Sequence, residues 1–298
     1  MEMVIDVVVD ALIDSLKILP FLFVTYLIME YLEHKTQEFT SSIVEKTEHF
    51  GPLWGGLIGA FPQCGFSAAA SNLYAGRVIT LGTLIAIYLS TSDEMVPLFI
   101  SEHVPVVTLV KILAIKAVIG IIAGFLIDFV VHAYHRSKHR AENDPVRIDA
   151  LCEKEHCHCD DEESEGLIGI VKSALVHTIH IFLFVLVLTL LLGFAIEIIG
   201  EDKLAFLLKT SPVISHILAG IVGLIPNCAP SVIITELYLD GMITLGTMMS
   251  GLLVGAGIGL LILFRVNDDK KENVNIALLL FVIGTVVGLL IDVCKIAI

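Results

Sequence analysis

Apolar residues fill long stretches of this chain, and polar residues collect between those stretches. A transmembrane helix needs about 20 consecutive apolar residues to cross roughly 30 Å of hydrocarbon. Several apolar runs of about that length, separated by short polar segments, predict a chain that crosses a membrane many times. The qualifying stretches are 18–32, 53–74, 78–100, 104–131, 175–199, 213–238, 242–264 and 276–296.

The second half of the chain repeats the first without gaps, at the offset that separates Pro62 from Pro226. Self-similarity of this kind is the sequence signature of a repeated structural unit. The matched pairs are Pro62-Gln63-Cys64 with Pro226-Asn227-Cys228, the pentapeptide Ile-Thr-Leu-Gly-Thr at 79–83 and at 243–247, and Asp128 with Asp292. We therefore expect two copies of one helical unit.

We predict an all-α polytopic membrane protein of about ten transmembrane helices, arranged as two inverted five-helix repeats with broken helices at the proline motifs. The stretch 78–100 carries a polar run and Pro97 in its middle, so it can supply two short spans instead of one. Two spans there give each half an odd number, which inverts the second half relative to the first. The predicted regions are a first membrane repeat over 1–131, a His/Cys-rich acidic linker over 132–166 and a second membrane repeat over 167–298.

The distribution of positive charge supports the odd number of spans, because cytoplasmic loops of membrane proteins carry an excess of Lys and Arg. With both termini outside, the basic residues of the inner loops outnumber those outside, whereas four spans per half remove this bias. The inner set is Lys35, Lys46, Arg136, Lys138, Arg140, Arg147, Lys154, Arg265, Lys270 and Lys271, and the outer set is Arg77, Lys203, Lys209 and Lys295.

Composition supports a membrane location and argues against one class of partner. Hydrophobic residues make up 56% of the 298 positions, which is more than one soluble core of this size can bury. The net charge of -14 argues against nucleic acid as a partner. Membrane lipid is the partner that the apolar stretches require.

The two proline motifs form the first candidate site. Proline breaks a helix, and the freed backbone groups inside a membrane must find partners or line a cavity. In carriers built from inverted repeats, such broken helices meet near the bilayer midplane and bind the substrate. Thiols suit soft ions such as zinc, copper, cadmium or trivalent arsenic, while close packing of small residues is the alternative interpretation. The residues assigned to this site are Gln63, Cys64, Ser67, Asn227, Cys228 and Ser231.

A polar run that ends in two acids is the second candidate site. Carboxylates inside an apolar stretch are costly and usually functional. The matching positions 254–258 of the second half carry no acid, so this feature is asymmetric. We predict ion binding or ion coupling here, with a wetted loop between two short spans as the alternative. The residues are Ser90, Thr91, Ser92, Asp93 and Glu94.

The central loop is the third candidate, because cysteines and histidines at short spacing bind zinc, copper and similar ions. Its spacing matches no structural zinc finger, so we expect a flexible loop that captures or senses a soft metal, with a solvated linker as the alternative. The candidate ligands are Cys152, His156, Cys157, His158 and Cys159.

Other charged positions receive a structural interpretation. Asp128 and Asp292 are expected to be boundary acids that face water at helix ends. Lys111 and Lys116 lie in the stretch 104–131, and we expect both to extend their ammonium groups to the membrane interface.

These motifs resemble one known family, the ten-span heavy-metal exporters, which are also labelled arsenic-efflux or manganese transporters. The resemblance rests on residues 59–67, 90–97 and 226–231 and on the central loop, and it covers nearly the whole chain. It implies a secondary efflux carrier for a metal or metalloid in the inner membrane of a bacterium. The labels differ chemically, because manganese prefers carboxylate and carbonyl oxygen whereas arsenite and zinc-type ions prefer thiolate.

The sequence therefore favours an ion-coupled transporter, and not an enzyme, that exports a divalent metal or metalloid from a site between the repeats. Its metal ligands would be Cys64 and Cys228, or Asp93 and Glu94. The alternatives are an organic-anion carrier that uses the same broken helices, a membrane metal sensor, and a thiol or metal enzyme. We expect no tightly bound cofactor and a cytoplasmic central loop; a coupling proton and a homo-oligomer are compatible with the sequence.

Overall fold

The structure is a computed structural model, and it describes residues 2–33, 50–61, 64–92, 95–137, 167–199 and 212–296. These residues form α-helices joined by short segments, and no strand occurs among them. The first half contains α1 (Glu2–Glu33), α2 (50–59), α3 (Cys64–Ala75), α4 (Leu81–Ser90), α5 (Met95–Ser101) and α6 (Val106–Ser137). The second half contains α7 (Leu167–Ile199), α8 (Pro212–Gly223), α9 (Ala229–Leu239), α10 (Leu245–Val254), α11 (Ile258–Val266) and α12 (Lys270–Val293).

Five segments of the described chain are long and apolar enough to cross a membrane. At about 1.5 Å per residue, the 24 residues of α12 extend about 36 Å, which exceeds the roughly 30 Å of hydrocarbon in a bilayer. The segments are Leu81–Ser101, Val106–Tyr134, Ala174–Phe194, Leu245–Val266 and Lys270–Val293. The prediction of a multi-span helical chain is confirmed at this level.

Helices α2 and α3 form a hairpin. Gly55 of α2 lies beside Thr83 of α4, and Gly59 lies beside Ser90, so α2 and α4 run in the same direction. A tight turn at residues 76–80 connects the end of α3 to the start of α4. Helix α3 therefore returns the chain to the level at which α2 began, and α4 repeats the direction of α2.

Helices α8 and α9 follow the same course in the second half. A Cβ atom on Gly223 of α8 would lie 2.3 Å from the carbonyl oxygen of Gly251 in α10, the position that matches Ile87 beside Gly59. A turn at residues 240–244 then connects α9 to α10. The two hairpins thus correspond in position, direction and contacts.

The repeated pentapeptide begins α4 and α10. Thr80 caps α4, because its hydroxyl accepts a hydrogen bond from the Thr83 N–H at 3.1 Å. Asp128 of α6 accepts hydrogen bonds from the Thr80 hydroxyl and the Gly82 N–H, both at 2.7 Å. The matching set in the second half is Thr244, Thr247, Gly246 and Asp292.

Those contacts correct the expectation for Asp128 and Asp292. Both are half-buried, and each carboxylate binds the first turn of a neighbouring helix instead of simply facing water. A negative charge near a helix N-terminus is favourable, because the first N–H groups lack partners within the helix. The two acids therefore fix where α4 and α10 begin.

Glycines hold three helices of each half at short distance. A Cβ atom on Gly82 would lie 2.2 Å from the carbonyl oxygen of Gly124, and one on Gly246 would lie 2.3 Å from that of Gly288. We call the group α2, α4 and α6 the first three-helix unit and the group α8, α10 and α12 the second. Their internal contacts repeat at the offset seen in the sequence.

The two halves pack against each other through exchanged contacts. Helix α3 packs on α11, where the Ser71 hydroxyl donates a hydrogen bond to the Gly259 carbonyl at 2.6 Å. Helix α5 packs on α9, and the rings of Phe99 and Tyr238 lie 6.4 Å apart. Helix α1 packs along α7, and α4 contacts α10. Each hairpin is thus seated on the opposite half.

An ion pair joins the halves at one end of the molecule. The Arg77 guanidinium binds both carboxylate oxygens of Glu272 at 3.1 Å, and the Tyr74 hydroxyl donates to the same carboxylate at 2.5 Å. Burial lowers the pKa of Arg77, but the hydrogen bonds and charge of Glu272 outweigh that effect and raise it. Glu272 follows Lys270 and Lys271 in α12. Arg77 therefore lies at their end of the molecule, and the assignment of Arg77 and these two lysines to opposite sides was wrong.

Helix α6 continues to Ser137, so residues 132–137 are helical and do not belong to a loop. The remainder of the predicted linker lies outside the described residues. The boundaries of the two membrane repeats stay predictions.

Candidate functional site

Helix ends from both halves meet at the centre of the molecule. Helix α4 ends at Ser90, and α10 ends at the matching residue, Val254. Lys116 of α6 joins these two ends: its ammonium group donates hydrogen bonds to the carbonyl oxygens of Thr91 and, at 3.0 Å, of Leu252. The interruption predicted within residues 90–94 and the one at 255–257 are therefore neighbours in space.

A small cavity lies at this meeting point. Its volume is about 20 Å³, and roughly 10–15 Å³ measured in this way holds one water molecule. The lining residues are Thr91, Ser92, Met95, Asn227, Cys228, Ser231, Leu252, Gly255 and Gly257. The cavity accommodates a single ion or water, and both halves contribute to its wall.

The second-half proline motif forms one side of the cavity. Residues 224–227 interrupt the helix between α8 and α9, and Cys228 is the N-cap of α9. Asn227 is 9% exposed, and its side-chain oxygen accepts a hydrogen bond from the Ala229 N–H at 3.1 Å, which helps to start α9. Cys228 is a thiol that immediately precedes α9. Since a helix N-terminus favours negative charge, this position suits a thiolate.

The end of α4 forms the opposite side. The Thr91 hydroxyl donates a hydrogen bond to the Ile87 carbonyl at 2.8 Å, and the Ser92 hydroxyl donates to the Ser90 carbonyl at 3.2 Å. Both side chains are buried. A hydroxyl that donates keeps its lone pairs, so both oxygens can still accept a bond or bind a cation.

Two other predicted residues are buried nearby but do not line the cavity. The Ser90 hydroxyl donates to the Ala86 carbonyl at 2.7 Å and lies against Gly120. Ser67 is buried against Gly259, whose added Cβ would lie 2.7 Å from the Ser67 Cβ. In this conformation both residues serve helix packing, whereas Ser231, the repeat partner of Ser67, lines the cavity.

Several predicted ligands lie outside the described residues. Cys64 is the first residue of α3, but its side chain is not among the described ones. A site shared by Cys64 and Cys228 therefore stays a prediction. Within the part of the chain that the structure describes, no three His, Cys, Asp or Glu side chains are grouped to hold a metal ion. The other predicted ligands outside this part are Gln63, Asp93, Glu94, Cys152, His156, Cys157, His158 and Cys159.

Lys116 is the residue that sequence reasoning missed. It is 0% exposed, so the expectation that its ammonium group reaches the membrane interface was wrong. A spacing of four residues places Lys116 on the same face of α6 as Ile112 and Gly120, both buried, whereas Lys111 is exposed. That spacing was the available signal. The matching residue of the second half is Leu280, so the buried charge has no counterpart at the matching position.

The helices and the central cavity define a multi-pass membrane protein with a small polar site between two related halves. A family model described as "Putative, 10TM heavy-metal exporter" matches residues 1–199 and 146–257. The chain belongs to this family of ten-transmembrane heavy-metal exporters, as its motifs predicted. No curated protein and no solved structure matches the chain. The description of this family names export and no enzymatic activity.

Proposed function

We propose that this protein is a secondary carrier that exports a metal or metalloid ion, and that the ion binds in the central cavity. The observation that supports this proposal is the composition of the cavity wall, to which helix ends from both halves contribute residues. Carriers built from two related halves bind their substrate at such a place and expose it to each side of the membrane in turn.

The donor atoms of the cavity favour a soft ion. The Cys228 thiol and the Met95 thioether supply sulfur, which suits zinc, copper, cadmium or trivalent arsenic. Hydroxyl and amide oxygens complete the wall, and Asp93 and Glu94 adjoin Ser92 and Met95 in the sequence. Manganese would rely on those oxygen donors instead.

We infer that α2–α3 and α8–α9 are re-entrant hairpins within the membrane. The ten residues of α2 extend about 15 Å, half of the hydrocarbon thickness. Helices α4 and α5 then complete a crossing. Each half has three crossings and one hairpin, and this odd number inverts the second half. If each hairpin arm is counted separately, the chain has ten membrane segments, which agrees with the family description.

Positive charge supports this course better than it supports ten full crossings. The ion pair with Glu272 moves Arg77 from the outer set to the inner set. The outer loops then keep Lys203, Lys209 and Lys295 as their basic residues, and the excess inside grows. In the proposed topology the chain spans the inner membrane of a bacterium, with both termini outside and the central loop in the cytoplasm.

A cysteine introduced at Asp240 tests the hairpin. The hairpin places Asp240 on the outer face with Glu102, because Tyr238 contacts Phe99, whereas a full crossing would place it on the inner face with Asp268. All three positions are exposed. In a chain whose six native cysteines are serines, we expect an impermeant maleimide to label Glu102→Cys and Asp240→Cys on intact cells, and Asp268→Cys only after permeabilisation. Labelling of Asp240→Cys together with Asp268→Cys would contradict the hairpin.

Thermal stability of the wild-type protein against a panel of ions tests the function. A ligand that binds the folded state stabilises it, by about 2.7 kcal/mol at 100 times its dissociation constant. We expect zinc, cadmium or arsenite to raise the melting temperature in detergent, and magnesium, the control, to leave it unchanged. A shift with manganese alone would assign the site to oxygen donors, and no shift with any of these ions would exclude the metal site.

A further inference from the structure

A buried lysine next to the proposed ion site needs an explanation. An ammonium group inside a membrane protein is costly and usually marks a functional position. Lys116 lies in the span Val106–Tyr134, is 0% exposed and reaches across the boundary between the halves. Its ammonium group binds the carbonyl oxygens of Thr91 and Leu252, and both of these residues line the central cavity.

The carbonyl oxygens that Lys116 binds attract cations. Thr91 is the C-cap of α4, and Leu252 lies in the last turn of α10. Carbonyl groups at a helix C-terminus lack the donors that a longer helix would supply, and they carry partial negative charge. Two helix C-termini therefore direct negative potential at one point, and the ammonium group of Lys116 occupies that point.

We propose that Lys116 is a tethered competitor of the exported cation: its ammonium group holds the carbonyl pair of Thr91 and Leu252 until a cation entering the cavity displaces it. This inference rests on the proposed function. It also narrows the substrate class, because a doubly charged ion is attracted to this point about twice as strongly as a singly charged ammonium group. Divalent cations can displace Lys116, whereas the abundant monovalent cations cannot.

Competition of this kind lowers the apparent affinity for the cargo. When a site is open to a ligand for only a fraction of the time, the apparent dissociation constant is the intrinsic constant divided by that fraction. If the ammonium group leaves the carbonyl pair about one tenth of the time or less, its removal tightens binding about tenfold or more. A lysine that only supported the fold would give the opposite result, since its loss would weaken the site.

Neutral substitutions at Lys116 separate these two roles. Lys116→Met removes the charge, and Lys116→Gln also removes it but keeps an N–H donor for a carbonyl oxygen, which preserves the fold if methionine does not. Lys116→Arg keeps the charge. Lys111→Met is the matched control, because Lys111 is an exposed lysine about one and a half turns away on the same helix.

Calorimetric titration of the purified proteins with zinc, cadmium and manganese chlorides measures the effect. We expect the folded neutral variants to bind at least one ion about tenfold or more tightly than the wild type, while their melting temperature without metal falls. Lys116→Arg should bind no more tightly than the wild type, and Lys111→Met should match it.

The outcomes keep this inference apart from the proposed function. Equal or weaker binding by both neutral variants, with binding intact in the wild type, would overturn the competitor role and leave the metal site standing. Tighter binding by Lys116→Arg would overturn it as well. No binding of any of the three ions by the wild type or by the neutral variants would overturn this inference, and the absence of a stability shift with arsenite as well would overturn the proposed ion site.

Discussion

Replacement of Cys228 with serine is expected to abolish metal export by a protein that still folds. Serine has nearly the shape of cysteine but offers a hard oxygen in place of a soft sulfur, so a soft ion loses its best donor in the cavity. Loss of residues that merely orient a metal ligand commonly weakens binding 10–100-fold. We therefore expect loss of the ligand itself to weaken binding about 100-fold or more.

The measurement is efflux of zinc or cadmium from sealed vesicles that contain the purified protein, together with the melting temperature of each variant. Cys294→Ser is the matched control: Cys294 is an exposed thiol at the end of α12, and its replacement should leave export unchanged. Export by Cys228→Ser at the wild-type rate would remove the thiol from the mechanism. The internal repeat predicts an equally large loss for Cys64→Ser.

Replacement of Gly82 or Gly246 with alanine should lower the free energy of unfolding strongly. The added methyl group would lie 2.2 Å or 2.3 Å from a backbone carbonyl oxygen, and about as close to the aspartate that caps the helix. Neither the backbone nor the hydrogen-bonded carboxylate can move aside cheaply. Overpacking of this kind costs typically 1–3 kcal/mol, and we expect about 3 kcal/mol at each position because the obstacle is main chain.

Gly193→Ala provides the comparison for this prediction. Its added Cβ would meet one methyl group of the Val7 side chain at 3.0 Å, and a small shift of that side chain relieves the contact because no backbone atom is involved. Alanine also favours a helix over glycine by about 1 kcal/mol, so this variant should keep or gain stability. Melting temperatures in one detergent compare the three variants. A loss at Gly193 as large as that at Gly82 would show that the glycine contacts are not the cause.

Much of the helical course can be predicted from local sequence. The lengths of the apolar runs at α6 and α12 predict long helices. The interruptions between α8 and α9 and between α10 and α11 coincide with proline at 226 and with glycine at 255 and 257. The repeat also indicated which residues share a role, since Thr80 and Thr244 cap matching helices with matching partners. Family membership followed from the same motifs.

Direction and burial could not be predicted in this way. The hairpin depends on Gly59 meeting Ser90, a contact between distant segments that periodicity does not reveal. The flexible four-carbon stem of Lys116 would allow its ammonium group to reach the membrane interface, as the sequence predicted. The packing of α6 against α4 buries the side chain instead. The predicted acids Asp93 and Glu94 lie outside the described residues, so their contribution to the cavity stays a prediction.

The glycine contacts within each three-helix unit also determine where the molecule can deform. Backbones that touch through Gly82 and Gly124, or through Gly246 and Gly288, leave no room for the helices of one unit to slide past each other. Between the two units the contacts include the hydrogen bond from Lys116 to the Leu252 carbonyl and the Arg77–Glu272 ion pair, which can break and re-form. We therefore expect each three-helix unit to rotate as a rigid body about the contacts between the two units.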